Sequence, residues 1–205
     1  MTQVGLGLRA ERGGSVVVGV ALEAHEPRIL LSTFLLTAAK SDRLAFEPYH
    51  VAFEARDRAG RVSADAAAAV AAGRARQDQM AVAGMNSIIS RLREDGFAAA
   101  VAALLANRAG WITDLLEYSL GAPEHPPVAE GLAVRDALRF AFKQTGIELV
   151  ELDEKSLPEV ASSELSLSAA DLDLRLKSLG ATAGKPWRKE QKVACLAAWL
   201  AVSRL

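Results

Sequence analysis

Three apolar runs crowd the start of the chain: Val4–Leu8, Val16–Leu22 and Ile29–Thr37. The segments between them are too short for anything but turns. A parallel return would need a crossover of about a dozen residues, so these runs must form an antiparallel meander. In the first run Val4, Leu6 and Leu8 alternate with Gly5 and Gly7, leaving one face without side chains, where another backbone or a helix is expected to approach. The second run, Val16-Val17-Val18-Gly19-Val20-Ala21-Leu22, is nearly continuous, as in a strand covered on both faces. Glu11-Arg12-Gly13-Gly14 and Ala24-His25-Glu26-Pro27 supply the turns.

The pattern then changes period. Ala38–Val62 reads as a loop with an ordered middle. Ser63 or Asp65 can cap a helix running to about Arg93, with Val82, Met85, Ile88, Ile89 and Leu92 as its sheet-facing stripe. Phe97–Leu105 reads as a fourth strand. Ile112–Leu120 begins a second helical stretch, which restarts near Pro127 and runs to Thr145, where Gly146 stops it. Ile147–Leu152 is the fifth strand, parallel to the fourth by a right-handed crossover. Ser156–Leu165 and Ser168–Leu179 are short helices, Gly180 and Gly184 bracket a loop, and Pro186 opens a last helix with a one-sided stripe of Val193, Leu196, Ala197 and Leu200. The expected fold class is α/β: a five-stranded mixed sheet, three strands antiparallel and then two parallel, flanked by helices. Residues 1–205 are expected to form one domain.

Hydrophobic residues make up 51% and charged residues 24%, an ordinary globular balance. The net charge of −1 gives no broad basic footprint for nucleic acid. The lone Cys195 lies among apolar residues and reads as a buried, inert thiol. Met1–Leu8 goes straight into a strand pattern rather than a leader, and no apolar stretch reaches the roughly 18 residues of a membrane span. The expected location is the cytoplasm, with no membrane partner.

This order of elements resembles the ribonuclease H-like fold of Holliday-junction resolvases and their relatives, with insertions at about 38–62 and 154–180. More locally, Glu47-Pro48-Tyr49-His50, Ala129-Glu130-Gly131 with Arg135, and Lys185-Pro186-Trp187 with Gln191-Lys192 and Ala197-Ala198-Trp199 resemble a bacterial family without an assigned activity. The nuclease resemblance implies two divalent cations held by carboxylates from the middle of the first strand, the end of the fourth, and the start of the last helix. This chain departs from that pattern. Val4–Ala10 has no acid, Arg9 or a glycine stands at the expected ligand position, and the fourth strand has none either.

Three readings follow. The leading one is a degenerate metal site on a binding or assembly module, with no cofactor, which leans against an enzyme. The alternative is a divergent magnesium-dependent nuclease or junction-processing enzyme using Glu11, Glu117 and Glu190. The third is a homo-oligomeric structural protein that buries an edge strand. Candidate binding residues are Tyr49 and His50, beside Glu47; Glu130 and Arg135, about 140° apart on one helix, so that each needs a different partner; and Trp187, Lys189 and Lys192 at the basic start of the last helix, which would meet nucleic-acid phosphate. Tyr49-His50 serves equally as a pin for an irregular loop, and Trp187 as a packing anchor. His25, His50 and His125 show no ligand spacing, and no glycine motif cradles phosphate.

Overall fold

The computed structural model describes residues 1–57, 62–106 and 111–205. The meander is present: β1 (Thr2–Glu11), β2 (Gly14–Glu23) and β3 (Glu26–Leu36) pair antiparallel in sequence. Next come α1 (Arg43–Phe46), α2 (Pro48–Glu54), α3 (Ala64–Glu94), β4 (Phe97–Ala106), α4 (Leu115–Leu120), α5 (His125–Thr145) and β5 (Glu148–Asp153). The chain closes with α6 (Leu157–Glu164), α7 (Ala169–Ala183) and α8 (Lys189–Val202). β4 joins β1 in parallel and β5 joins β4 in parallel, giving the sheet order β3-β2-β1-β4-β5.

Helices cover both faces. On one, Ala81, Met85, Ile88 and Leu92 of α3 and Val134, Leu138 and Phe142 of α5 pack on Val4, Leu6, Leu8, Val17, Ala102 and Leu104. On the other, α8 lies over Val16, Val18, Val20, Val101, Ala103 and Leu105. The bare face of β1 is what admits α8. A Cβ at Gly7 would fall 1.8 Å from the Ala194 carbonyl oxygen, and one at Gly5 2.4 Å from that of Ala198. A third cluster lies around Tyr49, Ala52, Val70, Leu120 and Ala133, where the first half of the 31-residue α3 meets α2, α4 and α5.

Several expectations need correction. The ordered middle of residues 38–62 is two short helices, with part of that segment outside the described residues. Ser63, not Asp65, caps α3 by accepting from Ala66 N. Gly180 does not open a loop: α7 runs through it to Ala183, because the missing side chain lets the Trp187 ring lie against the helix. Pro186 precedes α8, whose N-cap is Arg188. The stripe on α8 is not one-sided. Ala194 to Val202 are all buried, since α6 and α7 cover the side turned away from the sheet. A helix walled on both sides is apolar all round. Cys195 is fully buried there, and burial pushes its thiol up to about 12, well away from a reactive thiolate. No helix among the described residues is long and apolar enough to cross a membrane.

Candidate functional site

The C-terminal ends of β1, β4 and β5 lie side by side, and polar side chains gather there. Alternation along β1 sends Leu8 under α3 and α5, which puts Arg9 and Glu11 on the face that α8 covers. The Arg9 Nε donates to both carboxylate oxygens of Glu154, each at 3.2 Å, and its Nη1 donates to Glu11 at 3.1 Å. All three side chains are half-buried. Glu154 stands one residue past β5, and its backbone N–H donates to Ala106 O at the end of β4. Arg135 of α5 approaches the same rim. Burial, followed by the Arg139 charge, lowers its pKa, Glu154 and Glu151 oppose this, and its Nε has no hydrogen-bond partner.

A second polar group sits beside the β1–β2 turn. Arg12 donates to Glu47 at 2.5 Å while its guanidinium lies 4.8 Å from the centre of the Phe46 ring. The Arg43 bond holds the Glu47 carboxyl below its ordinary pKa. Glu130, 2% exposed, reaches from α5 to the start of α2, where its Oε1 accepts from Tyr49 N at 2.8 Å and His50 N at 3.1 Å. Its Oε2 has no partner, and neither does His50 Nδ1, which lies 3.6 Å from Glu130 Oε1. Burial pushes the Glu130 carboxyl up to about 8 against the pull of those two N–H groups. The Tyr49 hydroxyl accepts from Arg74, which pairs with Asp136. Asp136 in turn pairs with Arg139, and Arg139 with Glu151. Glu130 thus meets the start of α2 while Arg135 faces the charges of Arg139, Glu154 and Glu151, as their angular separation on α5 requires.

Glu11 and Glu190 line one cleft of roughly 500 Å³ between the sheet and the start of α8, with Val16, Phe34, Pro186 and Arg188. Glu117 lies in a different cleft, formed by Trp111, Asp114, Tyr118 and His125, where Tyr118 and His125 stack at 4.1 Å. The nuclease trio of the sequence is therefore divided two and one. Trp187 donates its ring N–H to Leu176 O and packs on α7. Lys189 is exposed, and Lys192 lies beside Asp173 of α7. Among the described residues, no group of three or more His, Cys, Asp or Glu side chains is placed to hold a metal ion. Glu154 and Arg12 were not singled out from the sequence. The Arg9–Glu154 pair spans 145 positions, and no local pattern announces it.

No protein-family model and no curated protein matches the chain. Among solved structures, the RuvC structure of Thermus thermophilus aligns with 96% of this chain and 91% of its own, at a TM-score of 0.53 and 12% identity. T. thermophilus RuvC in complex with a Holliday junction substrate aligns with 96% and 90%, at 0.52 and 11%. The chain has the ribonuclease H-like fold.

Proposed function

We propose that this chain is a non-catalytic ribonuclease H-like module that binds branched or single-stranded nucleic acid. The observation that carries the reading is Arg9, held by Glu154 and Glu11 at the end of β1. Two-metal chemistry needs carboxylate oxygens as ligands, and the resemblance to resolvases leads one to expect such a ligand on the first strand, where Arg9 stands instead. Its single positive charge offsets one of the two carboxylate charges beside it, and its N–H groups occupy oxygens of both. It also repels a divalent cation, by about 4 kcal/mol per unit charge at 4 Å for an effective dielectric of 20. These residues do not fit a metal pair.

Nucleic-acid binding is supported by the likeness to T. thermophilus RuvC in complex with a Holliday junction substrate. Lys185, Arg188 and Lys189, all exposed around the start of α8, support it as well. Fluorescence anisotropy with labelled four-way junction, duplex and single strand tests it, run in low salt with magnesium or with chelator. Binding should be equal in both conditions and fall steeply with salt, with no strand cut. Magnesium-dependent cleavage that disappears in Glu190→Ala would return the site to the nuclease reading. A failure to bind any of the three at low salt would leave only the assembly role.

A further inference from the structure

Three aromatic rings meet around α4. Tyr118 and His125 stack with their centres 4.1 Å apart and their planes 8° from parallel. The His125 Nδ1–H donates to the Tyr118 carbonyl oxygen at 2.7 Å, which fixes one ring against the other. Trp111 stands at 83° to Tyr118, with ring centres 5.5 Å apart. An indole is ordinarily spent on burial. Trp111 is 70% exposed and belongs to none of the three apolar clusters, so packing does not account for it.

The cleft that these rings line, of roughly 270 Å³, is completed by Asp114 and Glu117. Asp114 Oδ1 caps α4 by accepting from Leu116 N and Glu117 N, both at 2.9 Å, which leaves Oδ2 unengaged. Among the described residues neither carboxylate has an ion-pair partner, and the lining holds no lysine or arginine. Ring faces and unpaired carboxylates favour the same occupant, a cation. Two rings at right angles with centres this close form a notch, in which one atom can lie within about 6 Å of both centres. His125 covers one face of Tyr118, so the notch opens on the other. A compact, round cation fills such a corner, whereas a planar guanidinium stacks on only one of its walls. A bare ammonium is strongly hydrated, and the rings offer it no acceptor in exchange; a methylated one gives up its water readily.

We infer that this cleft binds a trimethylammonium group, with Trp111 and Tyr118 against its methyls and Asp114 and Glu117 balancing its charge. The group is the same to the cleft whether a free choline-like molecule or a methylated lysine side chain carries it. The inference does not depend on nucleic-acid binding, because two uncompensated carboxylates repel a phosphodiester.

The probes are choline, its uncharged isostere neohexyl alcohol, and a short acetylated and amidated alanine peptide with one central trimethyllysine. Calorimetry reads their affinity, and the indole N–H signals in NMR read their place. Choline is expected to bind saturably and to move the Trp111 signal while leaving those of Trp187 and Trp199. The isostere should bind at least about fivefold more weakly, having the shape without the charge. Trp111→Ala, which removes an exposed ring, should weaken choline binding at least about fivefold. Glu117→Gln should weaken it about two- to fivefold, and so should Asp114→Asn, which keeps the cap on α4. Circular dichroism checks that each variant is folded. The tighter of choline and the peptide identifies the carrier of the group. The proposal fails if the isostere binds as well as choline, if Trp111→Ala changes nothing, if guanidinium or ammonium binds as tightly, or if neither charged probe binds. It fails also if a single strand of DNA moves the Trp111 signal and choline does not reverse the shift, which gives the ring to a base.

Discussion

Glu130 is a carboxyl kept where a carboxylate is poorly tolerated. Its two N–H donors and the nearby Arg12 favour the charged form, but burial and the Glu47 charge oppose it and prevail. Its folded pKa, about 8, stands above the ordinary 4.5, so the folded chain holds this proton where the unfolded chain has released it. Stability from this group is full below about pH 4.5 and declines as pH rises towards 8, by an amount on the order of several kcal/mol. Urea midpoints measured from pH 5 to 8.5 should fall in the parent protein and fall less in Glu130→Gln, which keeps the acceptor for Tyr49 and His50. Parallel slopes would mean that Glu130 is ionised in the folded state. At Arg9 the prediction concerns cations. Arg9→Asp places a third carboxylate beside Glu11 and Glu154, and should lower stability by about 1–3 kcal/mol in chelator, the pair being partly exposed. Millimolar manganese should restore part of that loss in a thermal melt, while leaving the parent unchanged.

Elements respond to what lies on their faces. Gly7→Ala drives a methyl group into the backbone of α8, and should cost about 2–3 kcal/mol or prevent folding. Gly131→Ala is its opposite: it lies inside α5, where an added Cβ meets nothing within 4 Å, and helix propensity alone should raise stability by about 0.5–1 kcal/mol. Chemical denaturation of the two variants checks both signs. The elements were largely legible in the sequence because each was marked locally, by the glycine-alternating strand, the Ser63 and Ser168 caps, and Gly146 ending α5 in a left-handed turn. The extension of α7 through Gly180 and the all-round burial of α8 were not. Both depend on neighbours that meet only after folding, Trp187 in one case and α6 with α7 in the other. The candidate site was half legible. Arg9 stood out because an acid was expected in its place, whereas Glu154 is recruited from the far end of a parallel strand. Glu130 stands out as a polar residue on α5, yet its partners at the start of α2 are not foreseeable from helical spacing.

For the molecule as a whole, the parallel β1–β4–β5 pairing aligns three strand ends on one rim, and that rim carries the arginine clamp. The fold sets where chemistry can occur, and the residues decide what occurs there. The position of α8 also has a consequence for biosynthesis. Every strand is made before the helix that covers Val16, Val18 and Val20. Roughly 180 residues separate those valines from the end of α8, so at 5–20 residues per second the apolar face waits about 10–40 s on the ribosome for its cover. Nascent chains stalled before α8 should therefore recruit hydrophobic-surface chaperones, and chains stalled beyond it, with α8 clear of the exit tunnel, should release them.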